Sequence, residues 1–114
     1  MKSRLQRTIS PADGSVYVER ELASASVIET TLSRGARSQK KWKAVPIAER
    51  AAICRRMADW CVERADELGR ELSWQMGRPV AQSPGEIRRG FAERVAYMTS
   101  IAEDSLKNIS LEEK

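Results

Sequence analysis

Apolar residues recur at three- and four-residue spacing through Ile53, Met57, Trp60, Cys61, Leu68 and Leu72. That period predicts one amphipathic helix over 46–76, with Ala65 in a close-contact position on its apolar side. Pro46 suits the first turn, where its missing N–H does no harm, and Glu49 places negative charge near the start. The opposite face holds Arg55, Arg56, Asp59, Glu63, Arg64, Glu67, Arg70 and Glu71, a solvated surface that contributes little. Gly77 is the natural left-handed cap, Arg78 adds a favourable cation, and Pro79 blocks a restart.

Two more helices flank this one. The first is expected over 25–42, capped by Ser24 or by Ser26, the latter with Glu29 three residues on as a capping box. Its stripe of Ile28, Leu32 and Ala36 is narrow, and Gly35 beside it marks either a close contact or a weak helix. The last helix is expected over 84–106. Ser83-Pro84-Gly85-Glu86 reads as a capping box with proline at the first helical position. Ile87, Phe91, Val95, Met98, Ala102 and Leu106 line one side of it. Beyond Leu106 the pattern dissolves into a charged tail.

The amino-terminal part has a shorter period. Residues 5–22 read as two strands around Pro11-Ala12-Asp13-Gly14, where Pro sets φ, Asp bonds locally and Gly takes the left-handed exit. Such a hairpin has too few apolar residues to form a sheet alone. Three helices and a ribbon therefore each offer one apolar face, and the ribbon lacks its complement. The expected class is mainly α with a short N-terminal β-hairpin, shaped against a larger sheet supplied elsewhere.

Composition adds bounds. The chain has 114 residues, 41% apolar and 32% charged, which is one domain's worth of ordinary globular sequence. No apolar run is long enough for a membrane span, and no apolar h-region follows Met1-Lys2-Ser3-Arg4, so cytoplasm is the expected location. Cys54 and Cys61 lie about 10.5 Å apart in helical rise, beyond disulfide reach, and read as two small buried hydrophobes. With no histidine in the chain, Cys-His and Ser-His dyads are excluded, as are most transition-metal sites.

The net charge of +4 concentrates in Arg34, Arg37, Lys40, Lys41 and Lys43, with Trp42 among them. Phosphate contacts plus base stacking would suit nucleic acid. A solvated face near a helix C-terminus explains the run more simply, with Trp42 as an apolar anchor for the exit loop. Neither nucleic acid nor membrane is therefore expected as a partner.

Several short motifs occur in a telling order: Thr8-Ile9-Ser10-Pro11-Ala12-Asp13-Gly14, Trp42, Glu49-Arg50, Ala65-Asp66-Glu67-Leu68, and Met76-Gly77-Arg78-Pro79. Each is weak alone, but the series resembles the amino-terminal region of NAD(P)-dependent aldehyde dehydrogenases over residues 5–106. Ser10, Gln75 and Arg78 stand where the family usually has Asn, Glu and Lys.

The resemblance implies the outer helical layer of a nicotinamide-binding domain, thus a partial α/β fold. It implies oxidation of an aldehyde to a carboxylic acid, with NAD or NADP, in a complete member. The family's Cys nucleophile, Glu base and oxyanion-holding Asn all fall beyond Lys114, and so does its dinucleotide motif. Cys54 and Cys61 lack the flanking glycines of that nucleophile. No catalytic, cofactor-binding or metal residue is assigned, and the chain alone is expected to be inert and to hold no cofactor. Some relatives hold a monovalent cation at positions matching Thr8, Ile9 and Glu86. Partners implied are the remainder of the enzyme, or another copy through an open apolar face. A small helical interaction module is the alternative.

Overall fold

The computed structural model describes residues 5–111; the basic start Met1–Arg4 and the last three residues of the tail lie outside them. Strands β1 (Leu5–Ile9) and β2 (Val16–Glu21) pair antiparallel, from Leu5 opposite Glu21 to Ile9 opposite Val16. A bulge between Thr8 and Ile9 turns the ribbon into its loop. That loop is built as its residues dictate. Gly14 has φ of 76°, and its N–H donates to the Ser10 carbonyl at 2.8 Å. The Asp13 carboxylate accepts from both the N–H and the hydroxyl of Ser15, at 2.9 and 2.7 Å.

Helix α1 spans Ala25–Trp42, as its period predicts, and Ser24 caps it by accepting from the Val27 N–H at 3.3 Å. Ser26 lies inside the helix, so the alternative capping box with Glu29 does not form. None of its residues is buried, and Leu32 in mid-stripe is 64% exposed.

The helix expected over 46–76 is two helices, α2 (Ile47–Glu63) and α3 (Ala65–Met76), broken at Arg64. The Arg64 N–H turns to the Cys61 carbonyl at 3.2 Å instead of continuing the ladder. The Trp60 carbonyl, so released, accepts from the Arg64 guanidinium at 3.4 Å, and that group lies 4.3 Å over the Trp60 ring. Ala65 at the elbow is completely buried. The break lets α2 follow residues 92–105 while α3 follows residues 83–85, so packing overrides an unbroken period.

The helix expected over 84–106 is also segmented. It comprises α4 (Ser83–Gly85), a π-helical turn over Glu86–Phe91, α5 (Ala92–Ser100) and α6 (Ala102–Ser105). The capping box is absent. Ser83 is fully buried, and its hydroxyl donates to the Pro79 carbonyl at 3.1 Å and lies 3.2 Å from the Ser73 hydroxyl. Glu86 turns to Arg78, whose guanidinium donates to it at 2.6 Å, a charge-assisted bond stronger than one to a backbone amide. The bend at Ile101 follows from hydroxyls competing for the ladder: Thr99 donates to the Val95 carbonyl, and Ser100 to that of Tyr97, both at 2.7 Å.

The hairpin rides on the end of α3. Gly77 has φ of 72°, and a Cβ there would sit 2.9 Å from Pro11 Cγ, so the helix cap and the ribbon's loop touch. The Tyr17 hydroxyl donates to the Glu71 carboxylate. Among the described residues the apolar core is Ala51, Ala58 and Ala65. The radius of gyration is 19.7 Å, against about 13 Å for a closed globule of this length. Three small side chains do not close a fold.

The hairpin's loop and its docking on α3 respond to pH through different groups, Asp13 within the loop and Tyr17 across to Glu71. Bonds from Ser15 hold the Asp13 carboxyl below its ordinary 3.8, so its contribution is present above that value and lost as pH falls through the folded pKa. The Glu71 acceptor raises the Tyr17 hydroxyl above its ordinary 10.0, so that contribution is present below pH 10 and lost as pH rises past the folded pKa. Amide NMR shifts of Gly14 and Ser15 will move on the acid side only. Tyr17→Phe will remove the alkaline transition while leaving the acid one, and an unchanged alkaline limb refutes the Tyr17–Glu71 link.

Candidate functional site

A groove of ≈480 Å³ lies between α2 and α5–α6. Helical spacing makes its walls: Ile47, Ala51 and Cys54 recur along α2, and Val95, Met98 and Ala102 along the facing segment. Ala51 forms a buried floor, because a small side chain there lets the two helices approach. Leu106 and Trp42 also line it. Trp42 is 39% exposed, and its main-chain carbonyl accepts from the Val45 N–H at 3.1 Å in the exit loop.

Two charges stand in this apolar lining, Arg50 and Arg94, and no acid is among its described residues. Neither makes an ion pair among the described residues, and Arg50 Nε is enclosed without a hydrogen-bond partner. The groove is thus apolar with a positive bias. It holds no nucleophile–base pair, since its thiol, Cys54, has no acceptor beside it that could take a proton.

The structure scatters the other residues singled out from sequence. Cys54 is exposed in the groove and Cys61 half-buried, both as free thiols, so the expectation of two buried hydrophobes fails for Cys54. The groove it lines is open to solvent. Lys40 and Lys41 sit in the last turn of α1, where cations suit the helix dipole. Thr8 and Ile9 pair with Val18 and Val16 in the ribbon, while Glu86 is engaged by Arg78. Among the described residues no three His, Cys, Asp or Glu side chains cluster to hold a metal ion. No described helix is long and apolar enough to cross a membrane.

Sequence reasoning missed two features. Arg50 was legible only as part of a Glu-Arg pair, because a helix period does not say which cation faces inward. Gly69 gave a usable signal, a glycine within a helical pattern. It is buried, and a Cβ there would meet Pro84 N at 2.8 Å, so α3 and α4 touch backbone to backbone.

Against known proteins, residues 1–113 match the model of the aldehyde dehydrogenase family. The chain is 30% identical over 80 residues to a succinate-semialdehyde dehydrogenase [NADP(+)] of Deinococcus radiodurans, covering 70% of this chain and 17% of that protein. It is 37% identical over 75 residues to a betaine aldehyde dehydrogenase of Cereibacter sphaeroides, covering 66% and 16%. In three dimensions it superposes on an NAD-dependent benzaldehyde dehydrogenase from Corynebacterium glutamicum with a TM-score of 0.82 at 26% identity. That match covers 97% of this chain and 24% of the other. The chain thus spans about a sixth of the curated relatives named.

Proposed function

Because this chain belongs to the aldehyde dehydrogenase family, we propose that it is the amino-terminal helical layer of an enzyme that oxidises an aldehyde to a carboxylic acid. The electron acceptor is NAD or NADP; the relatives named above include one of each kind. The observation that carries the reading is the match along nearly the whole chain, joined to apolar faces left open on α1, α2 and α5. Such faces suit a layer that seats on a sheet. The remainder of such an enzyme is its natural partner, and a second copy is the competing occupant.

The described residues do not fit the dinucleotide on their own. A pyrophosphate cradle needs a glycine-rich turn from a parallel strand into a helix. The sheet here is one antiparallel ribbon, and no two glycines of the chain are separated by a single residue. No step of the reaction is therefore assigned to these side chains, and the chain by itself is inert. Mixed with NAD or NADP and benzaldehyde, it will give no absorbance of the reduced cofactor above a buffer control. Turnover clearly above that control would overturn the assignment of inertness.

A further inference from the structure

We propose that the Arg78–Glu86 ion pair is a catch that holds the π-helical turn in place, and so sets the rotation at which α5 presents its faces. The turn is wider than an α-helix: the Ala92 N–H reaches five residues back, to the Ile87 carbonyl. A π turn is the rarer form of helix, so contacts from outside the turn must favour it.

Other elements hold the segment on both sides of the turn. Upstream, Ser83 is fully buried with its hydroxyl on the Pro79 carbonyl, and Pro84 abuts Gly69 of α3. Downstream, α5 packs along α2. The turn absorbs the one residue by which an α-helix between these anchors would be too long. Glu86 opens the turn and lies over its glycine: a Cβ added at Gly90 would stand 3.5 Å from Glu86 Oε2. The other carboxylate oxygen accepts from the Arg78 guanidinium at 2.6 Å.

Arg78 belongs to the exit from α3, beside Gly77, against which Pro11 of the hairpin loop lies. The catch therefore ties the seat of the hairpin to the helix that lines the groove. On its release the extra residue passes along the helix, and α5 turns relative to α4 by about 100°, one residue of an α-helix. Two discrete registers with one catch form a two-state element that the hairpin's seat can bias.

The test is an NMR comparison of two contacts in the full chain. An NOE from Ile87 Hα to the Ala92 amide reports the π register, and one from Arg88 Hα to the same amide reports the α register. The ratio of the first to the second is expected to fall about twofold to fivefold in Arg78→Glu and in Glu86→Arg, the reach of an exposed ion pair. It should recover when the two changes are combined, because the exchanged charges attract again. In the unaltered chain, about 1 M NaCl shortens the screening length to about 3 Å and should lower the ratio as well. No fall in either single variant, or no recovery in the double, would overturn the proposal. Should the variants fail to fold, the salt titration decides, and a ratio that salt leaves unmoved would overturn it equally.

Discussion

Urea will remove the helical far-UV signal of this chain over a broad range, with a slope below about 1 kcal/mol/M, under the usual span for small proteins. That slope scales with the surface exposed on unfolding, and little is hidden here to begin with. The buried apolar residues among those described are alanines at positions 51, 58 and 65, the smallest side chains that can line a core. The larger ones stay open: Met57 and Trp60 on α2, and Met98 on α5, are each about half exposed or more. Alanine burial contributes far less than the roughly 1.5–3 kcal/mol of a buried Leu or Phe. Helices will therefore persist where local propensity supports them, without a cooperative core to tie them together. Accompanying binding of a hydrophobic dye is expected from the same exposure. A sharp, single transition with the slope of a closed domain would refute this picture.

Gly69→Ala will lower the stability of the α3–α4 junction by about 1–3 kcal/mol, the usual penalty of overpacking. The new methyl would stand 2.8 Å from a backbone nitrogen and 2.9 Å from the Pro84 ring, neither of which is a flexible side-chain end. Relief requires α4 to move away, which also pulls Ser83 from the Ser73 hydroxyl and Arg78 from Glu86. Gly35→Ala serves as the control of opposite sign. A Cβ at Gly35 meets nothing within 4 Å, so that change will strengthen α1 by about 1 kcal/mol of helix propensity. Helical circular dichroism and limited proteolysis between α3 and α4 distinguish the two variants. Equal effects would show that the junction is not packed as described.

Those two glycines show what a period can reveal and what it leaves out. Gly35 was legible as a close contact or a weak helix, and the structure selects the weak helix because α1 has no neighbour on that side. Gly69 lies within an equally regular pattern, yet it is the one that touches another backbone. A sequence states that a side chain is missing; only the path of another segment says whether the space is used. The same limit explains the capping box that failed at Ser83. Ser-x-x-Glu is a local pattern, but Arg78 is eight residues from Glu86 and offers it a stronger bond.

Local chemistry alone settled the hairpin loop at Gly14, the full span of α1, the end of α3 at Gly77, and the family to which the series of motifs belongs. Each of those depends on the dihedral limits of one or two residues, on a period within one element, or on their order. The tertiary structure decided the breaks at Arg64 and Ile101, the engagement of Glu86, and the placing of Arg50 and Arg94 in one groove. Those outcomes depend on which carbonyls, cations and apolar faces distant segments bring into reach. Such competition between distant groups has no signature in any single stretch of the chain.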